Sequence, residues 1–247
     1  METHDFNQYE QVSSVTGAGD VAAKTFTARV FSWMFLGLGI TGLLAYVFAS
    51  TPALFDLIYT PGIHRGLSGL GIFVSLAPLG LCMLIGFRLN SLSYGAMVGI
   101  FLLFSALFGM SLSAIFFMYT SGSLFTIFFI TAGMFGVMAL LGYTTSTDLT
   151  KFGSLLMMLL FGGIIAMFVN YFMHSAALDY GISFLFVAVF TGLTAYDVQK
   201  IKQIGSQIDM NGGDATVGKM SILGALTLYL DFINLFLALL RIFGSRK

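Results

Sequence analysis

Asp231 and Asp197 sit where a carboxylate is expensive. Asp231 stands near the middle of "GALTLYLDFINLFLALLRIFG" (224–244), a stretch otherwise dominated by Leu, Phe and Ile, and Asp197 lies in "TGLTAYDVQKIK", just ahead of Lys200 and Lys202. A charge at the centre of a bilayer costs at least about 2.5–3.5 kcal/mol on insertion scales, so such residues turn toward a bundle interior or a water-filled cavity and are functional candidates by default. If the two carboxyls meet in a poorly solvated site, both cannot ionise cheaply, and the pair holds one proton between them and responds to pH. With both ionised they offer oxygens to a hard cation. Ca²⁺ takes roughly six to eight oxygen ligands, so a site made of Asp197, Asp231, Asn234, carbonyls and water is expected to be weak or transient. The plainer readings are that Asp197 offsets Lys200 at the membrane surface and that Asp231 hydrogen-bonds a neighbouring helix.

Around these carboxylates the last apolar segment is patterned. Gly224, Thr227, Asp231, Asn234, Ala238 and Arg241 recur at steps of three and four, forming one small or polar stripe on a helix whose other faces are Leu, Phe, Ile and Tyr. Such a stripe is expected to turn toward other helices, one of them carrying Asp197. Arg88, at the end of an earlier apolar segment, has the fork to grip a carboxylate in two places; its plain reading is a positive-inside anchor. Tyr196, Thr227 and Asn234 are the polar neighbours expected to support the pair.

The elements that must position these residues are membrane helices. With 57% hydrophobic and 9% charged residues and a mean hydropathy of +0.93, the 247-residue chain is too apolar for a soluble core and reads as an integral membrane protein. Segments long enough for a hydrocarbon core of ~30 Å are predicted at 30–49, 67–87, 93–118, 122–143, 153–173, 179–200 and 220–242, a seven-helix, all-α bundle. Residues 1–29 read as a polar, disordered or loosely helical cytosolic leader with no cleavable signal peptide, 30–244 as the transmembrane domain, and 245–247 as a short basic tail. Between spans, "STPALFDLIYTPGIHRG", "YTSGS" and "QIGSQIDMNGGDATVGK" read as loops.

Lys24, Arg29, Arg88, Lys151, Lys200, Lys202 and Lys219 fall on one side of this arrangement and Arg65, Arg241, Arg246 and Lys247 on the other, which favours a cytosolic N-terminus. The basic tail leaves open a re-entrant last segment that would return the C-terminus to the cytosol. On the third span, Ser105, Gly109 and Ser113, with Gly95 and Gly99 upstream, have the spacing of a close helix–helix contact.

Other chemistries find little support. Eleven basic residues balance eleven acidic ones, with no run able to track phosphates, so nucleic acid is not an expected partner. The single cysteine, Cys82, has no disulfide partner within the chain, and His4, His64 and His174 lack ligand spacing. No cofactor is expected.

"LTAYDVQKIK" and "LTLYLDFINLFLALLRIFG" resemble the signature segments of the Bax inhibitor-1 (transmembrane Bax inhibitor motif) family, and "FRLNSLSYGAMVGIFLLFSALFGMSLSAIFFMYT" is similar to its bacterial members, over essentially residues 25–244. The resemblance implies a seven-helix bundle with a central last helix wrapped by the other six, in a bacterial inner membrane. It implies that Asp197 and Asp231 form a pH-sensing, gating pair and that Arg88, in the looser match "GFRLNSLS", is an arginine latch. It further implies a calcium leak, with Ca²⁺ as permeant ion, and, as an alternative role, restraint of a membrane-bound AAA protease or other stress-response partner. An intramembrane aspartyl protease is a remote alternative. Tyr196–Asp197 supplies its Tyr-Asp pair, but Leu228 and Leu230 stand where its Gly-x-Gly-Asp motif needs glycines, and none of Pro52, Pro61 and Pro78 lies in a late helix. A retinal protein would need a lysine inside the bundle, preferably on the last helix, and the only lysine that the predicted spans reach, Lys200, is the terminal residue of the sixth. The chain is therefore expected not to be an enzyme.

Overall fold

The computed structural model describes residues 3–60, 66–89, 91–208 and 214–247, with side chains described from residue 19 on, Asp214 apart. His64, Arg65, Pro61 and the middle of the polar loop, 209–213, lie outside the described residues, as does the side chain of His4. In chain order the helices are α1 (Thr3–Ser50), α2 (Pro52–Ile58), α3 (Gly69–Arg88), α4 (Tyr94–Leu112), α5 (Ile115–Met118), α6 (Ser121–Thr144), α7 (Thr150–Met173), α8 (Ala176–Gln207) and α9 (Asp214–Phe243). Seven stretches are long and apolar enough to cross a membrane: 19–50, 69–88, 94–118, 121–144, 150–173, 176–207 and 215–243. All seven predicted spans are present, and the chain is an all-α, multi-pass membrane bundle.

Local chemistry sets the starts of several helices. Ser68, Ser93, Thr120 and Ser175 each take extended backbone and accept the amide of the residue three positions on, the N-cap arrangement that satisfies an orphan donor. The polar stretch ahead of residue 30 is helical from Thr3 and continuous with the first span. Within the first predicted loop, Pro52 opens the short helix α2, where its missing N–H costs nothing. The third span breaks at Ser113–Ala114, leaving α5 as a separate turn.

Helix α9 is the core of the bundle. Its apolar window is 67% buried, against 28% or less for every other span. It packs most closely against α1, α4, α6 and α8, while α3 lies mainly on α4 and α7 on α8. The last helix is thus central, with an inner ring of four helices and two packed outside them. Tyr229 is fully buried among Phe101, Phe104 and Phe108, and Phe232 packs edge-on to Phe128 and Phe135.

Small residues bring the backbones together, as lipid-embedded packing requires. A Cβ on Gly109 would meet the Thr41 backbone at 2.6 Å, and Thr41 donates to the Ser105 carbonyl at 2.8 Å, so this part of the small-residue stripe on α4 receives α1. Gly95 and Gly99 have open space around them and take no part in a close contact.

At thirty residues, α9 is about 45 Å long at ~1.5 Å per residue, a full crossing. One end of the bundle gathers Ala23, Tyr94, Gly205 and Gly218; the other joins Gly244 to Tyr119. Residues 244–247 therefore lie opposite the end that holds Lys24, Lys202 and Lys219. The re-entrant alternative is overturned: α9 is unbroken, and the short basic segment that follows it hydrogen-bonds to 116–123 instead of returning.

Candidate functional site

Helices α8 and α9 bring the two aspartates together. The carboxyls of Asp197 and Asp231 face one another within hydrogen-bonding reach. Asp231 is 4% exposed and Asp197 half-buried. No donor elsewhere among the described residues reaches Asp231 Oδ2, which is one of only two buried side-chain polar atoms there without a partner. Two ionised carboxylates have no proton to donate, so their contact becomes a hydrogen bond only when one of them is protonated. A proton held between them is the bond that this geometry makes available to Asp231. The cation acting on Asp197 is Lys200, three residues further along the same helix and exposed.

The other candidate residues lie apart from this contact. Arg88, the last residue of α3, is exposed and makes no ion pair among the described residues. Thr227 donates to the Leu223 carbonyl and Asn234 to the Leu230 carbonyl, each four residues back on α9 itself. Both are half-buried, so the polar stripe splits: Asp231 and Ala238 are buried, whereas Thr227 and Asn234 satisfy their own helix. Tyr196 points elsewhere, its ring lying over Gly153 of α7. The stripe ends at Arg241, which pairs with Asp179 of α8 at 3.4 Å; both side chains are more than a third exposed, so the pair is worth at most about 1 kcal/mol.

A feature not read from the sequence fastens the helix that carries Asp197. Gln199, 7% exposed, donates to the Thr147 carbonyl at 2.8 Å and accepts the Leu149 amide at 2.9 Å. It thereby clamps the α6–α7 connection to α8. Lys202 adds a bond to the Tyr143 carbonyl at 2.9 Å and lies over the Tyr143 ring, completing the end of α6 with a cation. In the same connection Asp148 accepts both the hydroxyl and the amide of Thr150, and these bonds hold its carboxyl below the usual range. Gln199→Leu removes two hydrogen bonds at once and is expected to cost about 1–3 kcal/mol. Thermal unfolding of the purified protein in mild detergent checks this; an unchanged midpoint would mean that the clamp adds nothing.

In chemical terms the pair can share a proton or present oxygens to a passing hard cation. It falls far short of the ligand number of a resident calcium site. No group of three or more His, Cys, Asp or Glu side chains gathers among the described residues.

A seven-span bundle built around a buried central helix, with two carboxyls meeting where α8 crosses α9, defines a class of membrane protein. The family described as "Inhibitor of apoptosis-promoting Bax1" matches residues 23–247, and the chain belongs to that family, the Bax inhibitor-1 family. The chain is 46% identical to inner membrane protein YbhL of Escherichia coli K12 over 224 residues, 91% of this chain and 93% of that protein. It is 44% identical to an uncharacterised protein of Borreliella burgdorferi, covering 90% and 92% of the two chains. An uncharacterised Rickettsia prowazekii protein, RP147, is 36% identical over 98% of this chain and 99% of its own length.

Proposed function

We propose that this chain is a pH-sensitive calcium-leak protein of a bacterial inner membrane, switched by the Asp197–Asp231 pair. One observation carries the reading: a carboxyl 4% exposed, on the central helix, meets another carboxyl, and among the described residues its Oδ2 has no other partner. Such an arrangement is costly for stability alone, since a well-packed apolar pair of similar volume would do as well or better. It becomes useful when protonation of the pair biases two arrangements of α8 and α9. With one proton between them, the pair is bonded and carries a single negative charge; with both ionised, it repels itself and favours separation or a cation between the carboxylates. Calcium entering from the far side would meet these oxygens in transit, as substrate and not as a resident ligand. The location agrees with the name of the Escherichia coli relative. The family is a membrane Bax inhibitor type and not a known enzyme class.

Arg88 enters as the proposed latch of a second arrangement. It is exposed at the cytosolic end of α3, unpaired among the described residues, with a side chain long enough to change partners. If it holds the pair closed in that arrangement, Arg88→Ala is expected to raise calcium entry about five-fold or more, or to leave entry that no longer shuts. Unchanged entry and unchanged pH dependence would reduce Arg88 to a topological anchor. The function itself is tested by reconstituting the purified chain in calcium-free liposomes and following calcium entry with a trapped indicator as pH is varied. Entry that depends on protein and on pH supports the proposal; liposomes no leakier than protein-free controls at any pH reject it.

A further inference from the structure

On the far side of α9 from Asp197, in the half of the bundle opposite Lys24 and Lys202, an apolar cavity of about 310 Å³ opens between α1, the end of α4, α5, α6 and α9. Leu38, Gly42, Phe125, Phe128 and Phe236 form much of its wall, and α8 contributes nothing to it. Only Thr41 and Tyr46 bring hydroxyls to the lining. The Thr41 hydroxyl is committed, giving its proton to the Ser105 carbonyl at 2.8 Å and accepting that of Tyr229 at 2.8 Å. Water in such a space would find too few partners to replace its hydrogen bonds. At the rim, Tyr46 and Phe125 are 60% and 67% exposed, on a surface that faces hydrocarbon in a membrane.

The rim also carries charge. Residues 244–247 lie along the start of α6: Thr120 donates to the Ser245 carbonyl, Ser245 to Ser123 Oγ, and the Lys247 amide to the Met118 carbonyl, at 2.9–3.1 Å. Lys247 Nζ donates at 2.8 Å to the carbonyl of Phe116, itself a lining residue, which fixes an ammonium at the mouth with donors to spare. Arg246 is exposed beside it and makes no ion pair among the described residues. An apolar slot with two cations at its mouth matches the chemistry of an acyl chain esterified to a glycerol that carries a phosphate.

We propose that this cavity is a binding site for one acyl chain of a glycerophospholipid, with its headgroup phosphate held by Arg246 and Lys247. The volume suits a stretch on the order of ten methylenes, each close in size to a water at ~30 Å³. A chain lodged there packs against Phe232 and Ile233, immediately after Asp231 on α9.

The test uses the full chain in phosphatidylcholine vesicles containing a minor fraction of phosphatidylglycerol with a diazirine at the end of one acyl chain, followed by illumination and mapping of the labelled peptides. Label is expected to concentrate on residues 38–46 and 112–128. A Cβ on Gly42, a lining residue, meets nothing within 4 Å, so Gly42→Phe is chosen to put bulk into the space, and labelling there is expected to fall about tenfold or more as several methylenes lose their burial. Gly39→Phe adds the same bulk at an exposed position outside the lining and is expected to leave labelling intact. Arg246→Gln/Lys247→Gln alters an exposed segment and keeps the test open should Gly42→Phe not fold; it is expected to lower labelling several-fold. Label spread evenly around the lipid belt and indifferent to Gly42→Phe would overturn the site. Label unaffected by the double Gln variant would overturn the headgroup assignment.

Discussion

Asp231→Asn is expected to flatten the pH dependence of calcium entry, and Asp197→Asn to do the same, not necessarily to an equal extent. Asparagine keeps the shape of the side chain and removes its titration, so under this proposal either change leaves the other carboxyl without the group with which it would share a proton. In Asp231→Asn the new side-chain amide could also donate to the Asp197 carboxyl, replacing a switchable contact with a permanent one. The strong form of the expectation concerns the double variant. Residues acting as one unit are non-additive, so Asp197→Asn/Asp231→Asn should match the stronger single variant instead of summing the two. Calcium entry across a pH series for the four proteins, in the same liposomes, completes the cycle. Independent, additive shifts would break the pair into two unrelated groups. Asp231 would then be better explained as a hydrogen-bonding residue that pins α9.

The second large effect is expected at Gly142, on α6. A Cβ there would fall on the carbonyl oxygen of Ala195 and lie 2.8 Å from its Cα, so α6 and α8 touch backbone to backbone two residues before Asp197. Rigid backbone cannot yield as a side chain end can. Gly142→Ala must therefore push α8 outward, at about 2–3 kcal/mol for overpacking, and with it the carboxyl that α8 presents to Asp231. Gly136→Ala, on the same helix with nothing within 4 Å of the new Cβ, is the matched control and should lose no stability. Unfolding in mixed detergent micelles measures the difference directly. If both alanines behave alike, the close contact is not a constraint on α8. If Gly142→Ala unfolds early yet keeps a native pH response, the position of α8 does not govern the pair.

Hydropathy made the spans legible because lipid punishes polar side chains over a length that helix geometry fixes, and each predicted segment overlaps an observed one. The same penalty singled out Asp231 and Asp197, whose meeting is a contact between adjacent antiparallel helices. Where reading failed, the deciding contact was local chemistry or long-range geometry. Thr227 and Asn234 have the spacing to face a neighbour, yet the carbonyl four residues back is nearer than any other helix. The helix at 52–58 was hidden by the prolines around it, one of which begins it. Gln199 gave no signal, because nothing in "YDVQKIK" says that a loop fifty residues earlier will fold against it. Likewise Arg241 and Asp179 are 62 residues apart in sequence and meet only because α8 and α9 run antiparallel.

Infrared difference spectroscopy on a pH step tests most directly whether Asp197 and Asp231 titrate as one unit. The carbonyl stretch of a protonated carboxyl reports each group, and the Asn variants assign it. The pair predicts that the carboxyl changes removed by Asp231→Asn are also removed or displaced by Asp197→Asn, since neither proton belongs to one residue alone. Two separate sets of changes, each abolished by one variant and untouched by the other, would contradict it.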